Sequence, residues 1–274
     1  MSQLWRGWGG RLGLLLVVLV VGFALLAPAL LPVGPDHLDV ADRFAAPSWR
    51  HPAGTDSLGR DMLARLAEGG RIALGVALAS IMLALAIGAP LGIAAARLGG
   101  VPAAAILIGF DIVAAFPSLL FALAAVALLG PGLPRLAGLI ALTLAPHYGR
   151  LARAQALTLA TAGHLEAARA AGVAWPRLWR RHILPNIAGP LLVLAGMDIP
   201  GVIAIEAGLS FLGVGVPPPA ASWGTLLYDG YLHLQQSAWP LLGAAFLLVL
   251  ATLGFTLTGE ALRDATDPTL SRAP

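Results

Sequence analysis

Residues 164–185 read HLEAARAAGVAWPRLWRRHILP, a polar, arginine-rich stretch set between long apolar runs. With Arg169, Arg177, Arg180 and Arg181 in so short a span, the stretch cannot cross a bilayer, where one central arginine costs roughly 3 kcal/mol or more. It must lie outside the membrane. Residues 164–171 are alanine-rich and strongly helix-forming, with Glu166 near the start, where a carboxylate suits the helix dipole. Gly172 ends that helix. Trp175 and Pro176 open a second one, proline being tolerated in a first turn, and Pro185 marks entry into the next apolar run. The small alanine face suits docking in a partner's groove. An ordinary basic loop between helices fits the same residues.

Working outward, the 274 residues are 58% hydrophobic and 11% charged, with mean hydropathy +0.83. A water-soluble domain carries about 25% charged residues. The fold class is therefore all-α integral membrane. All 17 basic residues are arginine, and without lysine there is no phosphate-binding Walker lysine, so the chain cannot be its own ATPase. The absence of cysteine excludes disulfides, thiolate metal sites and cysteine nucleophiles. A net charge of +3 and a pI near 10.2 would suit nucleic acid. The arginines instead concentrate in short loops between apolar runs, the pattern of membrane orientation, and no nucleic-acid partner is expected.

Six stretches approach the roughly 20 residues a helix needs to span a bilayer: 12–31, 72–96, 102–129, 136–157, 187–209 and 237–258. Arg6 and Arg11 before the first would suit a signal peptide, but its apolar run to Leu31 is longer than an h-region and predicts an uncleaved anchor. With the N-terminus inside, 11 of the 17 arginines fall in cytoplasmic segments, so both termini are expected in the cytoplasm. Pro146, His147 and Tyr148 should interrupt the fourth span, which should emerge into water near Arg150 and Arg153. Gly88, Gly92 and Ala96, at four-residue spacing, predict close helix packing in the second. Pro217-Pro218-Pro219 forms a stiff connector to a short helix capped by Ser222, and Trp223, Tyr228 and Tyr231 suit a helix resting at the membrane interface. The chain thus divides into 1–71 (tail, first span and extracytoplasmic segment), a five-helix core at 72–260, and a cytoplasmic tail at 261–274.

The ordered combination of Glu166-Ala167-Ala168, Gly172 and Leu184-Pro185 resembles the EAA loop of ABC importer permeases, through which a membrane subunit touches its ATPase. Residues 51–61, HPAGTDSLGRD, are similar to the GTDxxGRD signature of the dipeptide, oligopeptide and nickel permease group. Asp111 with Ala115-Phe116-Pro117, and Leu209-Ser210-Phe211-Leu212-Gly213 followed by Ser222-Trp223-Gly224, resemble the same group, nearest to its C-type subunit. Where the widest form of the pattern has isoleucine, this chain has His182. The resemblance implies a type I ABC importer permease fold with six transmembrane helices and a cytoplasmic coupling helix in a loop at 159–186. It also implies a B-type permease partner, one or two ATPase subunits carrying ATP and Mg, an external binding protein, and a bacterial or archaeal inner membrane. Glu166, Ala167, Ala168, Gly172, Leu184 and Pro185 become the ATPase-coupling residues, Glu166 capping its helix or meeting a positive group on the ATPase. No cofactor is assigned to this chain itself.

Other polar residues carry weaker expectations. Gly54, Thr55, Asp56, Gly59, Arg60 and Asp61 form an outer-face motif; Asp56 and Asp61 with Arg60 and Arg65 predict a salt-bridged helix at the membrane edge, a solvated turn being the alternative. Asp198 and Glu206 lie about 12 Å and some 80° apart on one helix, so they form no carboxylate pair. Each could line a cavity, serve a proton or metal path, or meet a structural partner such as a backbone group freed near Pro200-Gly201. Asp111 should pair with an arginine of a neighbouring helix or line a cavity. The six histidines, His37, His51, His147, His164, His182 and His233, lack metal-ligand spacing, and no metal site is expected.

Permease function follows from the resemblance, with di- or oligopeptides as cargo and nickel or a metal chelate as the alternative. An ion-driven secondary transporter is more remote, since no inverted repeat is evident. An intramembrane enzyme would need His-Glu-x-x-His, Gly-x-Ser-x-Gly or a serine–lysine pair, and none is present, so the chain is not expected to be catalytic.

Overall fold

The structure, a computed structural model, describes residues 7–161, 163 and 172–266, so Glu166, Ala167 and Ala168 lie outside the described residues. Among the described residues every regular element is helical, and strand-like pairing is limited to a bridge between Thr55 and Asp61. Helices occupy each of the six apolar stretches. They are α1 (Trp8–Leu30), α2 (Met62–Leu98), α3 (Gly100–Ala115) with α4 (Ser118–Leu129), α5 (Leu133–Ala160), a short α6 (Trp175–Leu178) passing through a π-helical turn (Trp179–Ile183) into α7 (Leu184–Phe211), then α8 (Trp223–Leu232) and α9 (Trp239–Thr266). Among the described residues, four helices are long and apolar enough to cross a membrane, or five if α3 and α4 count as one broken span.

Three boundaries differ from expectation. The stretch 102–129 is not one helix: it breaks at Phe116, whose backbone is extended (φ −81°, ψ 129°) because Pro117 disfavours helical geometry in the residue before it. In contrast, α5 runs unbroken through Pro146, which is buried between Ala145 (2% exposed) and Tyr148 (0%). Membrane helices tolerate such prolines where surrounding packing holds them. Third, α2 begins ten residues before the apolar run, at Met62 rather than 72. Arg65, Glu68 and Arg71 in its first turns disguise a helix of 37 residues, about 55 Å long at 1.5 Å per residue.

The chain forms two compact units, one from the described parts of 1–78, 122–137 and 196–274, the other from those of 79–121 and 138–195. In the first, α1 packs on α9 through small residues: a Cβ on Gly13 would come 2.7 Å from Thr258 N, and one on Gly254 2.8 Å from Leu16 Cβ. Lipid tails are as apolar as leucine, so helices in a membrane associate through close approach of this kind. The rest of α1 leaves Leu12, Leu15, Val18, Leu19, Leu25 and Leu26 exposed, as a lipid-facing helix does. Pro28 lies inside α1, and its missing N–H leaves the carbonyl of Ala24 without its helical donor. Arg71 of α2 supplies the bond, its Nε donating to Ala24 O at 2.9 Å and its guanidinium to Leu25 O at 3.2 Å.

In the second unit α2 crosses α5 backbone to backbone. A Cβ on Gly92 would lie 1.9 Å from Gly149 O, and one on Gly88 2.2 Å from Ala145 O. The Phe110 ring of α3 covers Gly149 from the other side. The small-residue spacing of Gly88 and Gly92 serves helix packing, as expected.

Candidate functional site

Residues 54–61 form a knot of tight turns, neither a helix nor a solvated loop. Gly54 and Gly59 take positive φ (74° and 75°), and a Cβ on Gly59 would lie 1.7 Å from Asp39 O, so only glycine fits. At its centre is Asp56, fully buried. Its Oδ1 accepts from the amides of Leu58 (2.9 Å) and Arg60 (3.0 Å), while Oδ2 accepts from Arg60 Nε at 2.7 Å and lies 3.3 Å from Arg65 Nε. Buried charge is tolerable only when its lone pairs are filled in this way. The Thr55 hydroxyl accepts from Ala45 N at 2.8 Å and donates to Asp42 O. Asp61 caps α2, accepting from Ala64 N at 2.9 Å, and its other oxygen lies 2.8 Å from His51 Nδ1.

The same unit seats α8 beside this knot. Ser222 caps α8 as expected, and Thr225 makes the cap reciprocal, each hydroxyl accepting from the other residue's amide. Trp223 is no interfacial anchor, for it is fully buried and donates its indole N–H to Leu66 O at 2.9 Å. Gly69 and Gly70 of α2 make its seat, since Cβ atoms there would come 2.8 and 3.1 Å from the indole. Tyr228 and Tyr231 are exposed, as interfacial residues are. Ser57 Oγ lies 3.4 Å from both carboxylate oxygens of Asp229, and Glu68 accepts from Ala221 N at 3.3 Å.

Of the intramembrane carboxylates, Glu206 is fully buried and accepts from Ser210 Oγ at 2.7 Å, one turn on. Ser210 Oγ in turn accepts from Val216 N at 3.2 Å. The partner is thus a side chain in the following turn, not a backbone group freed near Pro200, where α7 continues helical. Asp198 is half-buried on the same helix. Asp111 of α3 accepts from Arg150 of α5 at 2.7 Å, both groups largely exposed. Among the described residues, no three His, Asp or Glu side chains gather as metal ligands would.

The edges of the 164–185 segment have a different character. Gly172 has φ 72° with open space where a Cβ would be. Helix resumes at Trp175, and Arg97, at the end of α2, lies over the Trp175 ring at 4.3 Å from its centroid. Leu178 and Ile183 are buried, while Arg177, Arg180, Arg181, Leu184 and Pro185 are exposed. No ion pair within the described residues engages those three arginines.

A family model for the inner membrane component of binding-protein-dependent transport systems matches residues 88–272. The chain belongs to this permease family. It is 41% identical, over 93% of its length and 85% of the relative's, to a putative peptide permease protein of Brucella suis biovar 1. It is 36% identical, over 100% of its length and 93% of the relative's, to the di/tripeptide transport system permease protein DppC of Pseudomonas aeruginosa. Among solved structures, a chain of the MetNI methionine ABC transporter in an inward facing conformation shares the permease fold. The TM-score is 0.60 at 20% identity, covering 75% of this chain and 98% of that one. The chain is therefore an inner membrane transport component, and its all-helical fold is that of an ABC importer permease.

The sequence reading missed the burial of Trp223 and the Arg71 cap on α1. Each had a signal: Gly69-Gly70 spaced to admit a large ring, and Pro28 freeing a carbonyl within an apolar helix.

Proposed function

We propose that this chain is one of two permease subunits of an ATP-driven importer of di- or oligopeptides. The observation that carries the reading is identity of 36–41% over 93–100% of the chain with proteins named as peptide permeases. The chain does no bond chemistry. Its partners are a B-type permease, one or two ATPases that bind ATP and Mg, and an external binding protein that selects cargo. All six apolar stretches cross the membrane, the α3–α4 pair as one broken span and α5 despite its arginines, with both termini in the cytoplasm.

Glu166, Ala167 and Ala168 dock on the ATPase, and the residues flanking them pass its motion on. Gly172 supplies a turn that a side chain would strain. Within the second unit the chain is helical from Trp175 into α7, so a push at the loop is passed to that helix, while the Arg97–Trp175 stack couples the loop to α2. ATP-driven closure of the ATPases then switches which side of the cavity is open.

The test is gentle solubilisation of the tagged chain from its own host. A second permease and at least one ATPase should accompany it, and the reconstituted assembly should take up a labelled dipeptide with its binding protein. A lone chain competent for transport, or an assembly that takes up nickel and no peptide, would overturn the reading.

A further inference from the structure

Within the second unit an apolar groove of 420 Å³ runs between α2 and the start of α7. One wall is Met82, Leu85, Ala86, Ala89 and Pro90; the other is Trp179, Leu184, Ala188, Leu191 and Leu192. Its size falls in the roughly 300–1,000 Å³ range of small-molecule sites. Its lining side chains are apolar apart from one indole N–H, so a peptide's charged termini would find no partners there. A hydrocarbon chain would need none.

The end beyond Pro90 and Trp179 is cationic. Arg97 lies two helical turns beyond Pro90 on α2, and Trp175 lies one turn before Trp179 on the other wall. The two side chains meet there, the guanidinium 4.3 Å from the ring centroid. Exposed Arg180 and Arg181 follow Trp179 in the π-helical turn. The carboxylate of this unit among the described residues is Asp111, and it is engaged by Arg150, so Arg97, Arg180 and Arg181 have no described acidic partner.

We infer that this groove is a binding site for an anionic phospholipid, with an acyl chain between α2 and α7 and the phosphate among Arg97, Arg180 and Arg181. The charge of the rim matches the headgroup and the apolar interior matches the chain. An acidic protein surface would answer the arginines but leave the groove empty. Arginine also suits phosphate better than lysine would, because its planar fork donates two parallel bonds. Trp175, stacked beneath Arg97, holds that guanidinium at the mouth.

The test uses the solubilised transporter containing this chain, equilibrated with phosphatidylglycerol and phosphatidylcholine of identical acyl chains, each carrying a photoreactive group on the chain. Native mass spectrometry should show phosphatidylglycerol retained at least fivefold over phosphatidylcholine, with crosslinks at residues 179–192. The triple variant Arg97→Ala, Arg180→Ala, Arg181→Ala should lose the headgroup preference, each arginine being worth about fivefold at an anionic surface, while still holding lipid. Ala188→Trp, which fills the groove, should lower crosslinking of both lipids. Leu192→Trp, at an exposed position of the same wall, should do so to a smaller degree without disturbing the fold. Equal retention of the two lipids, a preference that survives the triple variant, or crosslinks that report a partner subunit in the groove would each overturn the inference.

Discussion

The knot at Gly54–Asp61 and the segment at 164–185 both gather polar and special residues between apolar runs, and the described part of the segment, 172–185, is built in the opposite way to the knot. In the knot the polar groups find their partners elsewhere in this chain: Asp56 is fully buried, takes two amides and the Arg60 guanidinium and lies 3.3 Å from Arg65 Nε, while Gly59 presses on a backbone carbonyl. At the edges of the other segment, Gly172 turns in open space and Arg177, Arg180 and Arg181 face outward. A motif whose groups are satisfied internally holds a fold together. One whose groups are left over is addressed to something else.

That contrast can be broken most forcefully at Asp56. Asp56→Ala takes the buried carboxylate from both Arg60 and Arg65, leaving Arg65, 6% exposed as a side chain, with the Pro35 carbonyl at 3.3 Å and the exposed Asp36 at 3.7 Å, and should cost about 3–5 kcal/mol, the loss expected when one partner of a buried ion pair is removed. Thermal unfolding of the solubilised protein should fall sharply, with poor yield from the membrane; a near-normal melting temperature would refute the internal role of the knot. The two positive-φ glycines then sharpen the comparison. Gly59→Ala meets both backbone strain and a carbonyl 1.7 Å from the new Cβ, and should destabilise by about 3 kcal/mol. Gly172→Ala meets strain alone, about 1 kcal/mol. Its effect should appear in transport-coupled ATP hydrolysis far more than in melting temperature, and equal losses of stability in the two variants would dissolve the distinction. The smallest effect belongs to Arg150→Ala, since the Arg150–Asp111 pair is about half exposed and such pairs contribute roughly 0–1 kcal/mol.

The sequence shows where the chain enters the membrane better than how it packs there. Burial in lipid and burial in protein leave the same apolar signature, so all six apolar stretches were legible and each holds a helix. The polar start of α2 was not, because Arg65, Glu68 and Arg71 read as loop residues until the structure reveals their partners in α1, residues 35–56 and Ala221. Pro117 and Pro146 look alike in the sequence, yet one breaks its helix and the other does not. What separates them is tertiary: Pro146 is packed beside the close crossing of α2 and α5, and no local pattern encodes that crossing's support. The knot was recognisable as a motif from its wording alone. Its turn geometry was not, because alternating Asp and Arg at helical spacing fits a salt-bridged helix equally well, and only the two positive-φ glycines exclude it.

The same reasoning explains why Glu206 did not declare its role. A carboxylate in an apolar run signals an important position, but whether it faces a cavity or a neighbour depends on a residue one turn away. Here Ser210 answers it, and Val216 N answers Ser210, so the carboxylate ties the end of α7 to the loop that follows.

In the proposed function an external ATPase drives this permease at the segment 164–185. The most direct measurement is peptide-stimulated ATP hydrolysis by the reconstituted transporter carrying Glu166→Arg, beside the unaltered protein and with membrane insertion and melting temperature checked in parallel. Peptide uptake and the stimulated hydrolysis should be lost while insertion and melting temperature stay unchanged. Full uptake and full stimulation by the Glu166→Arg transporter would contradict it.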